Sequence, residues 1–252
     1  AYCSVDYVRQ ESNTEIGRAL PHWQYSAASN TRTMKACTGS ADNASVDMMG
    51  FSSRGAAVSP ALHEYRLWQS VANFGGLDFF IMGRLDNRED TSGYERARRV
   101  FGFAYRNESI LNGAKSKADV LLVRDSYQIP NPEERGWVRI LTETHILFDE
   151  VLAGSLKAMD FGKYKAIVLP EKARLTPDVC QMLDAYVNAG GKLLVCGKTA
   201  GLKSLGIEGP VKFIASEGSA IHLTDADRKV LTSLSDRAYV PLGKGYCQYS
   251  LK

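Results

Sequence analysis

Pro60-Ala-Leu-His-Glu-Tyr-Arg-Leu-Trp-Gln-Ser-Val-Ala-Asn-Phe-Gly-Gly-Leu-Asp-Phe-Phe-Ile-Met82 is the stretch whose reading decides the fold. Pro60 suits the first turn of a helix, where its missing N–H removes no bond. Leu62, Tyr65, Leu67, Trp68 and Val71 form one broad apolar face, which predicts a helix over Pro60 to Ala72. Asn73-Phe-Gly-Gly76 stops it. Leu77-Asp-Phe-Phe-Ile-Met82 is nearly all apolar, the pattern of a parallel strand covered on both faces. Helix and buried strand in alternation define an α/β fold.

The same unit recurs on either side. Upstream, Ser4 to Arg9 reads as a strand. Thr14 to Ala36 carries helical spacing through Ile16, Leu20, Trp23 and Ala27, interrupted by Pro21, and Ala44 to Phe51 reads as a second strand. Downstream, Asp86 to Gly93 is a polar loop. Tyr94 to Asn112 is a helix with Tyr94, Ala97, Val100, Phe101 and Ala104 on its buried side. Asn112-Gly-Ala-Lys-Ser-Lys117 is a short polar linker, and a domain break with separate cores is expected there. The alternation then restarts: strand Ala118–Val123, helix Glu133–Leu152 and strand Tyr164–Pro170. Next comes a helix from Thr176-Pro177 to the stop at Gly190-Gly191, then strand Lys192–Gly197. Val211–Ala215, Ala220–Leu223 and Ala238–Leu242 read as shorter strands, with a helix over Asp225–Leu234. The expected division is therefore residues 1–112, 113–205 and 206–252.

Composition narrows the function. A net charge of +3 over 252 residues makes no case for nucleic acid or an anionic membrane surface as partner. No apolar run approaches the roughly 20 residues that span a bilayer. The five cysteines, Cys3, Cys37, Cys180, Cys196 and Cys247, are odd in number and contain no CxxC. A zinc cage or disulfide framework is not expected, and neither metal nor cofactor is indicated.

Two stretches carry a resemblance. Arg66 to Arg84, with its Trp68-Gln-x-x-Ala72 core, continuing to Ser92-Gly-Tyr-Glu95, resembles the end of the catalytic barrel of family 42 β-galactosidases and related glycoside hydrolases. Tyr164–Pro170 followed by Leu183–Gly197 resembles the glutamine-amidotransferase-like domain that follows that barrel. The order of the pieces also matches. The resemblance implies a partial (β/α)8 barrel followed by a flavodoxin-like parallel-sheet domain. It implies a carbohydrate substrate, often a β-galactoside. The second domain would do no chemistry and would help assemble a homo-oligomer, a trimer in many members.

Retaining glycosidases need two carboxylates about 5–5.5 Å apart, delivered in a barrel by the C-terminal ends of strands. The resemblance places the acid/base on a middle strand outside this chain. It places the nucleophile at the end of Val46–Phe51, where no Glu stands. Asp47, inside that strand, reads as a structural polar residue. Glu11 is the best carboxylate available, because it follows the first strand at its active end. Arg9, two positions earlier, shares its side of the strand if pairing continues that far. The alternative is a loop Glu capping the next helix. Arg84, Asp86 and Glu95 form a second cluster after the strand over Leu77–Met82. Glu95 matches the spacing of the family's sugar-contacting Glu, although Ala97-Arg98 replaces the His that follows it there. A first-turn helix carboxylate is the competing reading. Trp23 and Trp68 fall on helical apolar stripes and read as core. Cys196, in Leu194-Val-Cys-Gly-Lys198, lacks the glycine elbow and activating base of an amidotransferase nucleophile, so its strand reads as structural.

Three readings follow. The chain is part of a glycoside hydrolase whose sugar pocket is completed elsewhere. Alternatively it is a sugar-binding or assembly module with a degenerate barrel, or a free-standing amidotransferase or flavodoxin-like protein. Three barrel-type strands are visible where a closed barrel needs eight. These residues are therefore expected to belong to a longer polypeptide, or to pair with a chain that supplies the missing wall, and to show no glycosidase activity alone.

Overall fold

The chain is described here by a computed structural model covering residues 8–12, 24–49, 55–84, 86, 88–125, 131–196 and 201–206. The α/β architecture expected from the alternation is present, as two parallel sheets. The chain divides into two units, residues 1–118 with 149–155, and residues 119–148 with 156–252.

In the first unit, strands β1 (Val8–Ser12), β2 (Ala41–Asp47) and β3 (Gly76–Ile81) lie in that order and run parallel. Helix α1 (Ser26–Thr38) connects β1 to β2, and α2 (Pro60–Ala72) connects β2 to β3. Helices α3 (Tyr94–Arg106) and α4 (Glu108–Leu111) follow. Leu67, Val71, Ala97 and Val100 form a buried cluster between α2 and α3, and Leu77 and Phe79 of β3 pack against it. Successive strand residues alternate in direction. Leu77 and Phe79 therefore mark the helix-covered face of the sheet, and Asp78 and Phe80 belong to the other. Asp149–Ser155 contributes the buried Glu150, held by Ser29 and by Arg32, whose Nε donates to it at 2.8 Å.

The boundaries shift where the sequence cues were weak. β1 is described from Val8 to Ser12, so Glu11 lies within a strand instead of after one. Residues 1–7 and 13–23, including Tyr7, Pro21 and Trp23, lie outside the described residues. Helix α1 runs to Thr38, where Gly39 supplies the left-handed stop at φ 81°. β2 begins at Ala41, earlier than the apolar pattern suggested. Asp42 and Asn43 are poor strand formers, yet both are paired to β1 and to β3. The helix expected to reach Asn112 breaks at Asn107, whose side-chain amide donates to the Phe103 carbonyl at 2.8 Å.

The second unit holds β4 (Val120–Arg124), α5 (Pro132–Glu143), β6 (Ala166–Leu169), α6 (Pro177–Asn188) and β7 (Lys192–Val195). Within it β4, β6 and β7 lie in that order and run parallel, while β5 (Phe148–Leu152) spans the boundary of the division. One expectation is overturned: Glu133–Leu152 is not a single helix. A capping box between Asn131 and Glu134 starts α5. The chain leaves it at Thr144 and His145, the latter at φ 57°, and re-enters as β5. At the end of α6, Gly190 has φ 97°. A Cβ on Gly191 would stand 2.3 Å from the Tyr186 ring, so the glycine pair both stops the helix and admits that ring. The strands and helix expected between Val211 and Leu242 lie outside the described residues.

Candidate functional site

Residues of β1, β2 and β3 paired in register share a face. Arg9 pairs with Asp42, which pairs with Gly76. Glu11 pairs with Ala44, which pairs with Asp78. The sheet face away from α2 and α3 thus gathers Arg9, Glu11, Asp42, Asp78 and Phe80. The Arg9 guanidinium is the hub. It forms an ion pair with Asp78 through Nε, approaches Glu11 Oε1 at 3.5 Å and stands over the Phe80 ring at 5.1 Å from its centroid. Side-chain exposures of 34% for Arg9, 40% for Glu11 and 28% for Asp78 leave all three groups reachable. Burial holds the Asp42 carboxyl above its ordinary range; neighbouring Asp78 pushes the same way, and Arg9 opposes both. Half-exposed carboxylates beside a guanidinium offer acceptors and donors suited to vicinal hydroxyls.

The other candidates from the sequence lie beyond the end of β3. Arg84 and Asp86 form a two-pronged pair, Nε to Oδ1 at 3.0 Å and Nη2 to Oδ2 at 2.5 Å, and both are exposed. Glu95 sits in the first turn of α3, exposed, 3.3 Å from Arg98. Register places Glu11 level with Asp78 inside the sheet, whereas Arg84 follows the last residue of β3. The structure therefore brings Arg9 and Glu11 together, and Arg84 and Asp86 together, as two separate pairs. Trp68 is partly buried against the α2–α3 cluster, edge to face with Phe103 at 4.9 Å.

On the helix-covered face the structure assembles a group the sequence reading missed. Ser45 and Asp47 alternate along β2, and His63 of α2 lies between them. His63 Nδ1 is 2.8 Å from Ser45 Oγ and Nε2 is 2.8 Å from Asp47 Oδ1. A carboxylate only accepts, so Nε2–H donates to it, while Nδ1 shares a hydrogen bond with the Ser45 hydroxyl. Arg88, from the loop after β3, donates through Nη2 to the Asp47 carbonyl at 2.7 Å and lies 2.8 Å from Oδ2. Ser45 and His63 are 0% exposed and Asp47 1%. This Ser–His–Asp chain is closed to substrate, so it is no nucleophile of the hydrolase kind. Its signal in the sequence was Ser45 and Asp47 alternating along the second strand, with Asp47 already read as a structural polar residue.

In the second unit, Cys196 is fully buried beside Glu133. Burial raises the Glu133 carboxyl above its ordinary range, against opposing hydrogen bonds from the Glu171 N–H, at 2.9 Å, and from the thiol. Among the described residues, no group of three or more His, Cys, Asp or Glu is placed to hold a metal ion, and no helix is long and apolar enough to cross a membrane.

Compared with solved structures, the chain shares its fold with part of two longer proteins. The chain is similar to Alpha-L-fucosidase isoenzyme 2 from Paenibacillus thiaminolyticus, at 23% identity and a TM-score of 0.55, over 75% of this chain and 30% of that one. It is also similar to beta-galactosidase from Bacillus circulans sp. alkalophilus, at 16% identity and a TM-score of 0.55, over 75% of this chain and 32% of that one. The chain therefore spans about a third of the length of each. No family model and no curated protein matches it. At these identities the likeness concerns the fold: an α/β protein with two parallel sheets, consistent with a partial barrel followed by a flavodoxin-like domain.

Proposed function

We propose that this chain is part of a carbohydrate-active, β-galactosidase-like protein, and that the sheet face carrying Arg9 and Glu11 contributes one wall of its sugar pocket. The observation behind this reading is the Arg9 hub, with Glu11 and Asp78 ion-paired across three parallel strands on the face away from the helices. In a barrel that face turns inward, and its residues nearest the C-terminal strand ends border the active site. Glu11 would serve as the reacting or hydroxyl-accepting carboxylate, and Arg9 would orient it. Arg84, Asp86 and Glu95 would contact more distant parts of the sugar. The rest of the pocket would come from sequence outside these residues. The second unit would serve assembly of a homo-oligomer.

One observation favours a second reading, sugar binding without hydrolysis. Glu11 stands within β1, level with Asp78, and not beyond the strand end where barrel nucleophiles are presented. Glu11→Gln in the full-length natural protein separates the two. Hydrolysis with Glu11 as nucleophile predicts a loss of β-galactoside turnover by about 10³-fold or more, with little change in affinity. A weaker grip on galactose at unchanged turnover assigns Glu11 to binding. No change in either rejects the face as a sugar site.

A further inference from the structure

We infer that Arg88 is a positioning residue: through the buried Asp47–His63–Ser45 group it fixes the loop between β3 and α3, which carries Arg84 and Asp86, against the carboxyl ends of β2 and β3. The inference rests on the sugar-site reading for its purpose and on geometry for its substance.

The loop leaves β3 at Met82 and enters α3 at Tyr94. Arg84, Asp86, Glu89, Asp90, Thr91 and Ser92 are exposed, as expected of a binding loop. Arg88 is the opposite: its side chain turns inward and is 5% exposed. Its guanidinium spans two strand ends, donating through Nη2 to the Asp47 carbonyl of β2 and through Nη1 to the Met82 carbonyl after β3, the latter at 3.3 Å. The same Nη2 meets the Asp47 carboxylate. That carboxylate is held from its other side by His63, which is held in turn by Ser45.

The far end of the loop refers to the same imidazole. Gly93 lies so close to it that an added Cβ would stand 2.8 Å from His63 Cδ2. Phe79 stacks edge-on with His63 at 4.8 Å and with Tyr94, the first residue of α3, at 5.7 Å. The loop is thus pinned at its middle by Arg88 against Asp47 and at its end by Gly93 against His63, which Asp47 itself holds.

Stability does not require charges here. A well-packed apolar substitute for a buried ion pair is often as stable or more so. What the ionic version adds is direction: a guanidinium plane has donors in fixed positions, so carbonyls of two strands and a carboxylate set its place in more than one axis. Residues that contact a ligand need support of this kind to stay within about 0.5 Å of their working geometry.

The test is hydrogen exchange by mass spectrometry on the whole chain, with galactose titration in parallel. Arg88→Ala should accelerate exchange in peptides covering residues 83–93 by about tenfold or more, while peptides from β2, β3 and α2 change far less. Arg88→Lys, which keeps the charge without the planar fork, should fall between wild type and Arg88→Ala. Gly93→Ala should loosen the end of the same loop, and serves with the lysine variant if Arg88→Ala fails to fold. Unchanged loop exchange overturns the inference. So does equal acceleration across the whole first unit, which marks a merely structural role. Where wild type binds galactose, Arg88→Ala should weaken binding about tenfold, with partial recovery in Arg88→Lys. Equal binding by wild type and Arg88→Ala overturns positioning while sparing the sugar reading. If wild type binds no galactose, the sugar reading fails for this chain, and the exchange pattern alone decides whether Arg88 fixes the loop.

Discussion

Across β4 and β6 the paired residues are Val120 with Ala166, Leu121 with Ile167 and Leu122 with Val168. Across β1 and β2 they include Arg9 with Asp42, Gln10 with Asn43 and Ser12 with Ser45. Both sheets are parallel and both have helical connections, so topology does not explain the difference. An aliphatic strand gains free energy on both faces from burial alone, at roughly 25 cal/mol per Å². A strand carrying Asp47, Ser45 and Asn43 at 1% exposure or less relies instead on polar partners, His63 and Arg88 for Asp47, His63 for Ser45 and Ser12 for the Asn43 side-chain carbonyl. The β4–β6 pairing is aliphatic, although the second sheet also buries charge, at Arg124 of β4 and Glu150 of β5. The first sheet uses its covered face for a hydrogen-bonded charge group and its other face for half-exposed carboxylates around Arg9. Such placements persist where a group must be held in one orientation.

The comparison breaks most readily at Asp47. Asp47→Ala leaves Arg88 and His63 buried without their carboxylate, and the first unit should lose about 3–5 kcal/mol in denaturant titration. A loss under about 1 kcal/mol would mean that the charges are solvated after all and that the first sheet is less committed than its burial suggests. The matching change in the second sheet is Leu121→Ala. It opens a cavity in a fully buried position and should cost about 2–5 kcal/mol, with no effect on the exchange of residues 83–93.

How much of this was legible follows the same contrast. Helix α2 is read from Pro60 to Ala72 because its cues are local: a proline at the start, an apolar stripe, a glycine pair at the end. The aliphatic strands β4, β6 and β7 are read to within a few residues for the same reason. β5 is missed because Phe148 and Leu152 happen to continue the three-to-four spacing of α5, and the turn at His145 has no glycine or proline to announce it. The pairing of Arg9 with Glu11 is accessible from strand alternation. Asp42 and Asp78 are not, because only register brings them to Arg9. Arg88 and Asp47 lie 41 positions apart, and no periodicity within one element connects them.

A smaller effect sharpens the description of the open face. The Asp42 carboxyl is raised by burial and by Asp78, so folding favours its protonated form. The sign follows directly. The stability associated with this group is fully present below the ordinary carboxyl value of 3.8 and is lost as pH rises through the higher folded value. Asp42→Asn should therefore stabilise the chain at neutral pH, and the gain should vanish as pH falls toward 3.8. The group is only partly buried and Arg9 offsets part of the penalty, so the gain stays below about 1 kcal/mol. A destabilised Asp42→Asn at neutral pH would show that the carboxylate is needed in its charged form by Arg9, and would tie Asp42 into the hub.

The smallest expected effect is at Glu95, and its smallness makes it informative. The side chain is 76% exposed, and its partner Arg98 lies one helical turn away at 3.3 Å. Exposed pairs of this spacing contribute about 0.2–0.5 kcal/mol, and a carboxylate in the first turn adds a similar amount through the helix dipole. Glu95→Gln should thus leave the denaturation midpoint almost where it was. It removes the charge and keeps the shape, so any change in galactose affinity has no stability loss to hide behind. An affinity loss of about tenfold at unchanged stability would assign Glu95 to the sugar, through a hydroxyl held by its carboxylate. Unchanged affinity and unchanged stability leave Glu95 with the work its position already describes, a first-turn carboxylate facing the positive end of α3. The sugar site would then contract to the Arg9 face and the loop that Arg88 fixes.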